Sequence, residues 1–267
     1  MPSTHAWLKT IKDYIRLKRR QFRFKSLGIR KTVHYLKQYA SVIDIAETAY
    51  DKVVMHPRLN ESTPKTPFDP HYFYQDTWAF RRIHAQSPVQ HIDIGSRIIL
   101  VGILSCVVPV EFVDIRPLTA DLPHLSNTAG DVLNLPYDDQ SIDSLSCLHV
   151  TEHVGLGRYG DDLDILDGTR RACSELQRVL APNGLLYFGL PCGQENTIEF
   201  NAHRVHTVDM ILSYFPELEL VELSGVTDDA QFIENIPQDI LDQQYYGCGL
   251  FIFTRKTPVG VSSASQT

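Results

Sequence analysis

Within five residues, His149-Val150-Thr151-Glu152-His153 gathers two imidazoles and a carboxylate. Histidine changes charge near neutral pH, so either ring could accept a proton from a reacting hydroxyl, with Glu152 as an orienting partner. The same spacing, His149-x-x-Glu152-His153, matches an inverted zinc-protease pattern, which requires both histidines on one helical face. Here the segment continues a strand-like run, and Gly155 and Gly157 follow at once, so no metal site is expected. Glu152 and His153 could equally cap a loop. A second group of polar residues lies upstream. Asp93-Ile94-Gly95-Ser96 puts a glycine where an apolar run turns into a helix, so backbone can approach a ligand closely. Asp114 ends the next β-branched run, 19 residues after Gly95, where an acid can accept hydrogen bonds from ribose hydroxyls. Taken singly, Asp114 and the later Asp131 read as well as turn acids facing water; as an ordered pair they point to a nucleotide.

Positioning those residues requires alternating short strands and helices. Val89–Ile94, Val110–Ile115, Ser141–Leu148, Leu185–Leu190, Glu219–Leu223 and Gly247–Thr254 read as strands. Arg97–Cys106, Leu166–Leu180 and Val208–Phe215 read as helices. Leu166, Thr169, Ala172, Cys173, Leu176, Val179 and Leu180 share one face of the second helix, and Pro182-Asn183-Gly184 ends it. Such alternation builds a parallel sheet covered on both faces, with a ligand crevice at the carboxyl ends of its strands.

The order of short motifs is more specific. Gly130-Asp131-Val132 precedes Leu135-Pro136-Tyr137-Asp138, then Ser141-Ile142-Asp143-Ser144-Leu145, then Glu152-His153, then Glu175-Leu176-Gln177-Arg178-Val179-Leu180-Ala181-Pro182-Asn183-Gly184. With these motifs, residues 89–256 resemble a class I S-adenosylmethionine-dependent methyltransferase, and also a less characterised branch of that superfamily whose bacterial members occur with polysaccharide genes. The resemblance implies an α/β fold: a Rossmann-like, mostly parallel sheet with an antiparallel C-terminal strand. It implies S-adenosylmethionine as cofactor, with Asp93 opening the binding loop. Gly95 and Ser96 would lie at the methionine end, Asp114 on the ribose, Asp131 and Val132 at the adenine edge, and Cys147–His149 beneath the sulfonium. Arg97 stands where the family's D-x-G-x-G loop has its second glycine, and would either clamp the cofactor's carboxylate or crowd the site. The implied reaction is methyl transfer to a small-molecule or saccharide acceptor at oxygen, with His153 as first candidate base and His149 as second. The alternatives are a methyltransferase-like scaffold without catalysis, and a dinucleotide oxidoreductase, against which the missing G-x-G-x-x-G argues. His203, Arg204 and His206 fall where acceptor loops often lie, although loop residues of these types are more often simply solvated.

Charge is distributed unevenly. The chain of 267 residues carries −7, yet residues 1–40 hold eleven Lys and Arg against Asp13 alone, which leaves −17 on the rest. The acidic body argues against a nucleic-acid partner. Residues 1–55 read as a basic helical extension, with Trp7, Leu8, Ile11, Tyr14, Ile15 and Leu17 at helical spacing and a second helix over Val42–Val54. A peripheral membrane or protein contact through residues 6–40 is expected. The proline-rich stretch 56–88 reads as a lead-in, and 257–267 as a polar tail. Five cysteines without a CxxC pair read as buried thiols of a reducing compartment, and the N-terminus lacks an apolar signal core, so a cytoplasmic protein is expected.

Overall fold

The structure, a computed structural model, describes residues 3–20 and 29–255. Arg23 and Lys25 of the basic stretch, and the tail 257–267, lie outside the described residues. The chain divides into two compact units, residues 1–67 and 68–267. The first is a pair of helices, α1 (Thr4–Arg20) and α2 (Ile29–Ala49). Ala6, Tyr39, Ile43 and Met55 form its small core. Trp7, Leu8, Ile11 and Ile15 are exposed along α1. The second helix thus begins well before Val42, because the apolar spacing continues back through Tyr39, Leu36 and Val33. Among the described residues, no helix is long and apolar enough to cross a membrane.

The second unit begins with a helix, α3 (Pro70–Gln86), within the stretch read as a lead-in. Its start is set locally: Asp69 accepts the Tyr72 N–H at 3.3 Å as N-cap, and Pro70 occupies the first turn, where a missing N–H costs nothing. Trp78 anchors it, buried to 2% exposure, with its indole N–H on Glu222 at 2.8 Å. Arg82 grips the same carboxylate with two nitrogens, at 2.9 and 3.1 Å.

The remaining elements alternate: β1 (His91–Ile94), α4 (Ile98–Leu104), β2 (Val110–Asp114), β3 (Leu125–Ala129), β4 (Ile142–Leu148), α5 (Gly168–Val179) and β5 (Leu180–Cys192). A short hairpin, β6 (Thr197–Glu199) and β7 (His203–Val205), precedes α6 (Val208–Ser213), β8 (Leu218–Val226), β9 (Phe232–Ile233), α7 (Gln238–Leu241) and β10 (Gly247–Arg255). The main sheet runs β3-β2-β1-β4-β5-β10-β8-β9. Strands β1 to β5 pair in parallel, and β10 inserts antiparallel between β5 and β8. This is a Rossmann-like sheet, mostly parallel with an antiparallel C-terminal strand.

Each face of the sheet is covered, which is why its central strands are apolar almost throughout. Ala172, Cys173, Leu176 and Val179 of α5 pack with Val208 and Ile211 of α6 on one face. Trp78, Ala79 and Ile83 of α3 pack with Leu100, Val101 and Leu104 of α4 on the other. At the corner between α5 and β5, Ile142 pairs with Leu180 and Ser144 already with Leu185, so Pro182-Asn183-Gly184 bulges out rather than separating helix from strand.

Candidate active site

The parallel strands end on a common edge, and a cavity of about 640 Å³ opens there. Gly95 after β1, Asp114 at the end of β2, Asp131 and Val132 after β3, and His149 and His153 after β4 all line it. Gly95 has φ +66°, and a Cβ there would meet the Val150 side chain at 3.3 Å and Asp114 Oδ2 at 3.5 Å. Any larger residue would strain the turn and push into the crevice.

Asp93 stands behind this turn. It is fully buried and takes the Ser96 N–H at 3.0 Å and the Ser146 hydroxyl. Burial raises its pKa to about 6, against the opposing pull of those hydrogen bonds. Ser96 Oγ in turn accepts the Leu148 N–H at 3.1 Å, tying the loop after β1 to β4. Asp93 and Ser96 thus hold the loop's shape, and neither lines the cavity. Cys147 is also absent from it: the side chain alternates to the core face and packs with Cys173 and Leu176. Arg97 is drawn toward α3, its guanidinium 3.1 Å from Asp76 and 4.7 Å over the Tyr72 ring. With Ser96 and Ile98 it lines a shallow cleft that adjoins the main cavity at Gly95, Asp114 and Arg116.

Two carboxylates face the cavity from turns. Asp114 Oδ1 accepts the Arg116 N–H at 2.7 Å, and Asp131 Oδ1 accepts the Leu133 N–H at 2.9 Å. Each bond fixes one oxygen and leaves the second for a ligand. The turn after Asp131 is held from below by Arg178, which donates to the Leu135 carbonyl at 3.1 Å and the Tyr137 carbonyl at 2.9 Å. Glu175 pairs with Arg178 at 2.9 Å and accepts the Leu135 N–H at 3.0 Å. The Leu135-Pro136-Tyr137 and Glu175-x-x-Arg178 motifs are therefore one hydrogen-bonded unit.

The histidines differ sharply. His153 has Nδ1 2.7 Å from the Ala202 carbonyl and Nε2 3.6 Å from Glu152 Oε1. Nδ1 is thus satisfied, whereas Nε2 makes no hydrogen bond. Glu152 is fully buried, and neither of its oxygens has a hydrogen-bond partner. Burial pushes Glu152 up to about 8 and His153 down to about 4, so at pH 7 both are neutral despite their proximity. His149, the residue after β4, has φ +56°, a conformation costly for a residue with a Cβ. Its Nδ1 bonds Gln75 Oε1 on α3, and its buried Nε2 has no partner. Burial lowers its pKa to about 3, leaving a neutral ring with a bare lone pair.

Loop residues 154–167 form the outer wall. Gly155, at φ +78°, permits a close pass in which a Cβ would fall 2.4 Å from the Asp164 carbonyl oxygen. Arg204 is a buried strut there, donating to the carbonyls of Glu152 (3.3 Å), Val154 (2.6 Å), Asp164 (3.1 Å) and Ile165 (3.0 Å). It is a structural residue rather than a solvated one. His206 is buried with neither nitrogen hydrogen-bonded. Tyr159 and Arg116, missed in the sequence, meet at 4.5 Å across the wall. His71, Tyr72 and Gln75 were missed because α3 was read as a lead-in.

Residues 134–231 match a family described as Caenorhabditis protein of unknown function, DUF268. No curated protein sequence matches the chain significantly. Similar solved structures include the N-methyltransferase NodS from Bradyrhizobium japonicum WM9, in complex with S-adenosyl-L-homocysteine. It is 18% identical over 71% of this chain and 89% of its own, with a TM-score of 0.48. A TehB-like SAM-dependent methyltransferase from Corynebacterium glutamicum is 16% identical over 84% of this chain and 100% of its own, at 0.46. The cyclase SpnF is 13% identical over 68% of this chain and 82% of its own, at 0.47.

Proposed function

We propose that residues 68–255 bind S-adenosylmethionine and transfer its methyl group to a small-molecule or saccharide acceptor, at oxygen. The observation that carries this reading is the cavity at the carboxyl edge of β1, β2 and β4, with Gly95 at positive φ and Asp114 and Asp131 presented to it. This arrangement fits the cofactor: a backbone cradle that a Cβ would fill, a carboxylate for a ribose diol, and a second for an adenine amine. When bound, S-adenosylmethionine supplies an electrophilic methyl group. Displacement of that kind calls mostly for alignment and a dry pocket, which buried Val132 and half-buried Val150 provide. Two candidate bases line the cavity after β4: His153, whose Nδ1 is held by the Ala202 carbonyl and whose Nε2 makes no hydrogen bond, and His149, whose Nε2 is buried. Arg97, held on Asp76 and Tyr72, lines the cleft that adjoins the cavity at Gly95 and Asp114. Calorimetry with S-adenosylhomocysteine tests the proposal. One site per chain is expected, and no binding at millimolar ligand would leave the scaffold reading in its place.

A further inference from the structure

The free nitrogen of His149 is part of a cluster. One ring nitrogen of His149, one of His71 at the start of α3, and Sγ of Cys248 at the start of β10 all lie within 4.8 Å of one another. The three come from elements brought together only by the fold. Gln75 Oε1 can only accept, so the His149 Nδ1 facing it carries the proton, and the opposite Nε2 is a lone pair with no donor nearby. Such an outer-shell acceptor on one imidazole nitrogen is the usual way that a ligating histidine is oriented. Tyr72 and Tyr246 wall the cluster: Tyr246 stacks on His71 at 5.1 Å and Tyr72 lies 5.1 Å from His149.

We propose that His71, His149 and Cys248 bind one borderline-soft divalent cation, zinc in the first instance, leaving a fourth coordination position unfilled by these three side chains. Two imidazoles and a thiolate are a zinc-type donor set, and three protein ligands with one open position are the catalytic form of such a site. A tetrahedral ion needs ligand atoms about 3.3–3.7 Å apart, given zinc–nitrogen distances of about 2.0 Å and zinc–sulfur of about 2.3 Å. Binding therefore requires the cluster, now within 4.8 Å, to close to that spacing by side-chain rotation. On binding, two nitrogen–metal bonds and one sulfur–metal bond form, the Cys248 S–H bond breaks, and its proton passes to solvent. The set is distinct from the His149-x-x-Glu152-His153 pattern, because Glu152 and His153 turn toward each other. Its role rests on the methyl-transfer reading: an acceptor hydroxyl or thiol that took the fourth position would have its pKa lowered by the ion and would release its proton to solvent.

The test uses the full chain, stripped with chelator and titrated with Co²⁺, then Zn²⁺. The expected result is one ion per chain, a near-ultraviolet thiolate-to-cobalt band, its loss on adding Zn²⁺, and release of one proton. Cys248→Ala should abolish the band, and His71→Ala should weaken binding on the order of 100-fold or more. Cys106→Ala, at an exposed thiol, should change neither. Because Cys248 is in the core, His71→Ala, at a half-buried helix end, carries the test if Cys248→Ala does not fold. Absence of the band, or unchanged affinity in folded His71→Ala, overturns the site. Binding of S-adenosylhomocysteine, measured separately, tells that outcome from failure of the methyltransferase reading.

Discussion

Glu152→Gln isolates the energy of one buried carboxyl. Glu152 has no exposed atoms of consequence and no hydrogen-bond donor for either oxygen, and burial raises it from 4.5 to about 8. At about 1.4 kcal/mol per pH unit, ionising it in the folded protein costs on the order of 5 kcal/mol relative to the unfolded chain. A raised folded pKa means that the folded state binds more protons between the two values. Its contribution is therefore fully present below about pH 4.5 and is lost as pH rises through about 8. Glutamine keeps the volume and the neutral form but cannot ionise. Urea unfolding followed by far-ultraviolet circular dichroism, from pH 5 to 9, should show the parent chain losing stability against the variant by several kcal/mol and levelling above pH 8. His153, held at about 4, titrates in both proteins and largely cancels. Parallel stability curves for the two proteins would refute the reasoning, because they would mean that Glu152 is solvated or paired when ionised.

Asp114→Ala should weaken S-adenosylhomocysteine binding by about 1.5–3 kcal/mol, the worth of hydrogen bonds to a charged group, with unchanged circular dichroism; equal calorimetric affinity would remove Asp114 from the site. His206, lowered to about 4 by burial, stays neutral in the fold while the unfolded chain takes up a proton below about 6.5, so stability falls as pH is lowered from about 6.5 to about 4. His206→Phe should make the acid limb of the stability curve shallower by up to about 1.4 kcal/mol per pH unit. Arg204→Met leaves four carbonyls without their donor and should destabilise the protein by on the order of 3 kcal/mol, with faster proteolysis within residues 154–167. We further propose that residues 1–40 adsorb to anionic vesicles, more weakly as salt rises; a chain shortened to residues 68–267 should lose that adsorption, and equal sedimentation with vesicles would exclude the contact.

The central strands were legible in sequence because both of their faces are buried, so they appear as apolar runs with acids or glycine at their ends. Asp93-Ile94-Gly95 and Phe112-Val113-Asp114 are of this kind. β3 was not, because Leu125-Ser126-Asn127-Thr128-Ala129 is an edge strand with no fully buried residue. α3 carried a readable start in Asp69-Pro70, but the three prolines before it made Pro70 look like one more linker residue. Its apolar face is made by Trp78, Ala79 and Ile83, with polar Gln75 also buried because it serves His149.

The site shows a different limit. Residues that touch a ligand and residues that shape the loop around it occupy the same short motifs, and one chain gives no way to separate them. Asp93 and Asp114 are both acids at strand ends, yet one is sealed under Ser96 and the other faces the cavity, a difference set by the pleat and by which neighbour supplies an N–H. Arg178 is nowhere near the cavity lining, but it ties two motifs into one support for the Asp131 turn. Co-occurrence of those motifs thus has a mechanical cause. Chemistry gathered across the sheet edge is harder still to read. His71 and Cys248 stand alone in sequence, one after a proline-rich stretch and one in an apolar strand. Only the antiparallel insertion of β10 beside β5, with α3 laid across the same edge, brings them to His149. A linear search for metal-ligand spacing finds the wrong partners for His149, because its neighbours in space come from the two ends of the domain.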